Sequence, residues 1–170
     1  MGDPRKIKKK YSKPAHMWQK VRIDEEKKIC ADYGLANKRE IWKANSVLRN
    51  FHKQAKHLIA VKGTSQSEKE KVQLLGKLAS LGLIKNMSLE SVLDIKLNEV
   101  LERRLQTVVF RKNLANSVNQ ARQMIVHSHV IVDGRKVTAP SYVVSVEEEN
   151  KIAFSSKSSF GKSAEAPVEG

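Results

Sequence analysis

The chain has 170 residues, with 32 lysines and arginines against 18 aspartates and glutamates, a formal net charge of +14 at pH 7. That length holds one mid-sized domain or two small ones and excludes a large multidomain enzyme, while the charge points to a polyanionic partner, nucleic acid before an anionic membrane surface. A single cysteine, Cys30, excludes an internal disulfide and a multi-thiolate metal site and suits a reducing compartment.

Residues 1 to 22 carry Arg5, Lys6, Lys8, Lys9, Lys10, Lys13, Lys20 and Arg22 around Pro4 and Pro14. This segment has too little apolar surface to offset ordering entropy, and it reads as a flexible basic arm. No apolar block of the kind a secretory signal requires follows those charges. The longest uncharged apolar runs, such as Leu58 to Val61 and Val130 to Val132, are far shorter than the roughly 18 residues of a membrane span. A cytoplasmic chain with no membrane partner is therefore expected.

Residues 23 to 100 read as charged helices. From Lys38 onward, Ile41, Ala44, Leu48, Phe51, Ala55 and Leu58 recur at three- and four-residue steps, one face of a helix. Gly63, Thr64 and Ser65 break the pattern. Ser67 and Glu70 then have capping-box spacing ahead of Val72, Leu74, Leu75, Leu78 and Leu81, and Gly82 can close that helix in the left-handed conformation. A short helix with Val92 and Leu93 follows Ser88. Another is expected from Leu97 to Phe110, with Leu101, Leu105, Val108 and Val109 on one side. A capping box at Ser117 and Gln120 opens a last helix with Val118, Ala121, Met124 and Ile125 as its buried stripe. Strands are expected at His129 to Val132 and Arg135 to Thr138, joined by a type I′ turn at Asp133-Gly134. Two more are expected at Tyr142 to Val146 and Lys151 to Phe154, around the acidic turn 147–150, before a polar tail from Ser155 to Gly170. The fold class is α+β: a mostly helical N-terminal region with a basic arm, then a small α/β module of two helices and a hairpin sheet.

Charge is uneven along this order. The net charge is +11 from Met1 to Lys62, zero from Gly63 to Leu101, +5 from Glu102 to Lys136 and −2 beyond. In the second basic stretch the polar positions are donors rather than acids. Arg103, Arg104, Arg111, Lys112, Asn116, Ser117, Asn119, Gln120, Arg122 and Gln123 suit phosphates, 2′-hydroxyls or base edges, and the start of the last helix favours an anion. His127, His129 and Arg135 flank the hairpin. Lys8, Lys9, Lys10, Lys38, Arg39, Lys43, Arg49, Lys53 and Lys56 supply phosphate contacts from the N-terminal side. Any one of these side chains alone reads equally well as part of a solvated face.

The run Leu101-Glu-Arg-Arg-Leu-Gln-Thr-Val-Val-Phe110, then Ala121-Arg-Gln-Met-Ile125 and His129-Val-Ile-Val-Asp-Gly134, resembles the small RNA-binding domain first described in ribosomal protein S-four. Tyr33-Gly-Leu-Ala-Asn-Lys-Arg-Glu-Ile-Trp42, Leu48-Arg49 and Phe154-Ser-Ser-Lys-Ser-Ser-Phe-Gly161 are similar to the archaeal and eukaryotic branch of that ribosomal protein family. The resemblance spans nearly the whole chain and places the RNA-binding domain at about residues 101 to 154. It implies a primary binder of small-subunit rRNA that nucleates assembly of the subunit body, meets neighbouring ribosomal proteins and supports accuracy near the mRNA entry region. The domain also occurs in free-standing regulatory or quality-control RNA-binding proteins, the alternative reading.

No enzyme is expected, nor a cofactor or small-molecule substrate. Asp24, Asp32 and Asp94 read as solvated or helix-start residues, and no nucleotide-binding glycine loop is present. Some relatives hold zinc in an N-terminal cysteine cluster, and this chain departs from them. Cys30 has no second thiol, and His52 and His57 are five residues apart, poorly placed on one helix face. Trp42 neighbours an apolar stripe and reads as core; Trp18, in the arm, either packs on the body or stacks on a base.

Overall fold

The structure, a computed structural model, describes residues 9, 11–61, 64–155 and 158. The order is α1 (Lys20–Asp32), α2 (Lys38–Ala60), α3 (Ser65–Ser80), α4 (Leu89–Asp94), α5 (Leu97–Glu102), α6 (Leu105–Arg111), α7 (Val118–Val126), β1 (Val130–Val132), β2 (Arg135–Lys136), α8 (Val146–Glu149) and β3 (Ile152–Phe154). This is the expected α+β class. Among the described residues no helix is long and apolar enough to cross a membrane. Lys8, Lys10, Gly63 and nearly all of the expected tail lie outside the described residues.

The helical region packs around α2, whose stripe Ala44, Leu48, Phe51, Ala55 and Leu58 meets Leu74, Leu75 and Leu78 of α3, Val92 of α4 and Val100 and Leu101 of α5. A second core joins Leu105, Val108 and Val109 of α6 to Ala121, Met124 and Ile125 of α7, to Val130 and Val132 of β1, and to Val144 and Ile152. The division falls between Leu101 and Leu105, both fully buried.

That division corrects the single helix expected over 97–110. A continuous helix would hold Leu101 and Leu105 one above the other on one face, whereas here they serve different cores. The chain opens at Arg103 and Arg104, and Arg104 adopts an extended conformation with ψ at 139°. The backbone groups released by the break pair with residues 142–144: Leu105 N–H donates to the Tyr142 carbonyl at 2.7 Å and Val144 N–H to the Arg103 carbonyl at 2.9 Å. The strand expected at Tyr142 to Val146 is accordingly reduced to one isolated antiparallel bridge, Arg104 with Val143. The acidic turn after it is α8, opened by a capping box in which Ser145 and Glu148 satisfy each other's backbone N–H groups.

The sheet order is β2-β1-β3, antiparallel throughout, with β1 central. The hairpin turn has φ at +49° for Asp133 and +75° for Gly134, as the type I′ geometry requires. At α3 the capping expectation is corrected. Thr64 is the N-cap, and Ser67 donates its hydroxyl back to the Thr64 carbonyl at 2.7 Å. Gly82 closes the helix at φ +68°, with Leu83 N–H bonded to the Leu78 carbonyl.

Tyr11 and Ser12 lie against α2. Ser12 N–H donates to Ser46 Oγ at 3.1 Å and the Tyr11 ring stands 6.4 Å from that of Trp42. Arg22 holds the carbonyls of His16 and Met17 and the buried carboxylate of Glu26, which also accepts the Trp42 indole N–H at 3.0 Å.

Candidate nucleic-acid interface

Arg104 and Arg122 come together on one carboxylate, Glu40. Glu40 sits in the first turn of α2, where the helix dipole favours negative charge. Its Oε2 accepts from Arg104 Nη2, and its Oε1 lies 2.8 Å from Arg122 Nη2. Burial pushes the Glu40 carboxyl up, but the Arg122 hydrogen bond and then the Arg104 charge outweigh it and hold the pKa below the usual carboxylate value. Gln106, fully buried, completes the cluster. Its amide donates to the carbonyls of Gly34 and Val118 at 3.0 and 3.1 Å, and its oxygen accepts from Arg122 at 3.3 Å. Gly34, at φ +56°, allows this approach, since a Cβ there would stand 2.9 Å from both Asn119 Oδ1 and Val118 Cγ1.

The cluster corrects the expected RNA-facing role of Arg104. With 5 % of its surface exposed, this guanidinium joins the helical region to the second core instead of meeting solvent. Arg122 keeps about a quarter of its side chain exposed while bonded to Glu40. Arg103 is also committed, to Glu149 at 2.7 Å and the Val144 carbonyl at 3.0 Å, and Lys112 donates to the Glu149 carbonyl. Arg111 pairs with Glu102 at 2.8 Å with both side chains well exposed. A surface pair of this kind contributes about 0 to 1 kcal/mol and opens readily to a competing phosphate.

The remaining candidates of this region are on the surface. Asn116, Ser117, Gln123, His127 and Arg135 are exposed and Gln120 and His129 half-buried. Ser117 caps α7 by accepting the Gln120 N–H at 3.1 Å, while the Gln120 side chain accepts from Asn116 N–H rather than Ser117 N–H. The reciprocal half of the expected capping box is therefore displaced by one residue. The two imidazole rings of His127 and His129 stand 6.4 Å apart beside the hairpin entry.

α2 supplies the largest cationic face. Arg39, Lys43, Arg49, Lys53 and Lys56 are exposed, while Lys38 is half-buried with its ammonium 3.7 Å from Glu26. At 3.6 residues per turn, Arg39, Lys43 and Lys53 form one stripe opposite the core, flanked by Arg49 and Lys56. The one carboxylate of α2, Glu40, is turned away into the Arg104 and Arg122 cluster. A groove of about 570 Å³ between α2 and α3, lined by Asn50, Lys53, His57, Glu70, Gln73 and Lys77, opens along the same side. Lys9 is exposed as well.

Sequence reasoning missed Glu40 and Gln106. The signal for Gln106 was its position inside the apolar run Leu105 to Val109, where a polar side chain needs buried partners. For Glu40 it was isolation, a lone acid in a basic helix.

A family model for the S4 domain matches residues 103–150, from the helix break to the end of α8. Over 162 residues the chain is 47 % identical to small ribosomal subunit protein uS4 of Saccharolobus islandicus, covering 94 % of this chain and 89 % of that protein. The protein of the same description from Methanothermobacter thermautotrophicus is 45 % identical over 98 % of this chain and 97 % of its own. The chain belongs to the uS4 family. Within this uS4-family chain the S4 domain is the second core, and the residues outside it carry the larger share of the exposed cations just described. Among the described residues no group of three or more His, Cys, Asp or Glu side chains is placed to hold a metal ion. Cys30 is half-buried, and burial raises its thiol above the ordinary value.

Proposed function

We propose that this chain is a structural component of the small ribosomal subunit, in the cytoplasm, which binds rRNA directly and early and helps shape the subunit body near the mRNA entry region. The observation that carries the reading is the uS4 relationship over 94 % of the chain. The exposed cations of α2 support it as phosphate contacts, with Asn116, Ser117, Gln123, His127 and Arg135 on the S4 domain as the contacts that fix position. Recognition rests on the shape of folded RNA more than on base sequence. The role is architectural, not catalytic, and neighbouring subunit proteins complete the set of partners.

Washed small subunits test this directly. The chain should co-sediment in one copy per particle and survive a moderate-salt wash. A substoichiometric, salt-labile association would replace this reading with that of a free-standing RNA-binding protein that visits the ribosome.

A further inference from the structure

The two tryptophans differ sharply in circumstance. Trp42 is used internally, with its N–H on Glu26 and its ring near Tyr11. Trp18 is 91 % exposed, with Met17 and Val21 beside it 50 % and 66 % exposed. Trp18 directly precedes Gln19, the N-cap of α1. A hydrophobic residue at that position ordinarily packs on the fourth helical residue, here Ile23, as a staple. At 91 % exposure Trp18 makes no such contact. Its backbone is nonetheless held: Arg22 Nη2 donates to the carbonyls of His16 and Met17, each at 2.9 Å, and Ile23 N–H donates to the Gln19 carbonyl at 3.1 Å. The indole is thus displayed from a pinned turn.

Resting on the RNA-binding reading above, we propose that Trp18, with Met17 and Val21 at its edge, is a stacking platform for one unpaired base of the bound rRNA. Charge decides the class of occupant. Lys13 and Lys20 are exposed and flank Trp18 in sequence, and the first carboxylates after it, Asp24 and Glu25, lie a turn further along α1. An apolar patch that docks another protein is depleted of lysine at its centre, whereas an exposed aromatic face in a lysine-bearing segment suits the flat base and the phosphates of a nucleotide. An unpaired base in a loop or bulge supplies the open face that a duplex hides.

The test uses the full chain and in vitro transcribed small-subunit rRNA. In a Trp42→Phe background Trp18 is the one indole; if that variant misfolds by circular dichroism, the difference between the unaltered chain and Trp18→Phe reports the same signal. On saturation with rRNA, Trp18 emission should be quenched and become protected from acrylamide. Trp18→Ala should bind roughly 5- to 100-fold more weakly, with an unchanged salt slope because no charge is removed. Trp18→Phe should recover most of the affinity and Trp18→Leu should not. Recovery by leucine would overturn the proposal in favour of plain apolar packing. Trp18 remaining open to acrylamide on the rRNA, with full affinity in Trp18→Ala, would overturn it and leave the RNA-binding reading intact. So would protection that arises only when other small-subunit proteins are added, which would make the patch a protein-docking site. If the unaltered chain does not bind the rRNA, both readings fall together.

Discussion

Glu40 is the residue on which the two halves of the molecule depend. Truncating one partner of a buried ion cluster leaves uncompensated charge, at a cost of about 3 to 5 kcal/mol. Glu40→Ala, which leaves Arg104 and Arg122 facing each other, should lower stability by about that amount in urea unfolding; a loss below about 1 kcal/mol would make the cluster dispensable. The pH dependence has a definite sign. The folded pKa of Glu40 lies below its ordinary value of 4.5, so its contribution is complete above the unfolded value and is lost as pH falls through the lower folded one. The unaltered chain should therefore lose stability more steeply than Glu40→Gln on acidification below about pH 5. Gly34→Ala should also destabilise, since the new Cβ meets Asn119 and Val118 at 2.9 Å with φ at +56°; thermal melting measures it. At this scale the sequence was legible in part. Arg104 and Arg122 were legible as donors of one basic stretch, but their common partner lies 64 and 82 residues away, and no local pattern marks a contact of that span.

Elements were easier to read where one face meets one core. α2, α4, α7 and the hairpin stand close to where their apolar spacing and turn residues put them, because local pattern and burial agree there. The stretch from Leu97 to Phe110 misled because its period is unbroken while its burial is not: Leu101 and Leu105 continue one stripe in sequence and enter separate cores in space. Periodicity reports that a residue is buried and says nothing about which neighbours bury it. The segment 142–146 misled for a related reason, since its alternation serves a bridge to Arg104 and then a capping box. The outward face of α2 can be tested directly as a phosphate-binding surface. Replacing Arg39, Lys43 and Lys53 together by alanine removes three exposed cations. That should weaken rRNA binding and lower the log–log salt slope by roughly 1 for each phosphate no longer neutralised. Filter binding between about 50 and 200 mM salt measures it. An unchanged slope would remove α2 from the interface.

At the level of the whole molecule, a polar joint links the two cores. Glu40 with Arg104 and Arg122 forms one side of it, Gln106 with Gly34 and Val118 the other. The unaltered chain should unfold in a single calorimetric transition, and Glu40→Ala combined with Gln106→Ala should separate it into two. Two transitions already present in the unaltered chain would show that the joint transmits no cooperativity. Apolar patterning marked the stripes that fill both cores but ran them together across Leu101 and Leu105. It could not identify the joint, because buried polar contacts leave no periodic trace and are specified by geometry alone.

The central place of β1 has a consequence for the order in which the chain is made. β1 is flanked by β2 on one side and β3 on the other, and β3 ends at Phe154. The helical region closes with contacts that are complete once Leu101 has been synthesised. The second core waits some fifty residues longer, for Val144 and Ile152. A nascent chain leaving its own ribosome therefore exposes a finished α2 face while Arg104 and the apolar side of α6 still lack their C-terminal partners. Vectorial synthesis presents the cations first, and the S4 domain becomes whole only as its last strand emerges.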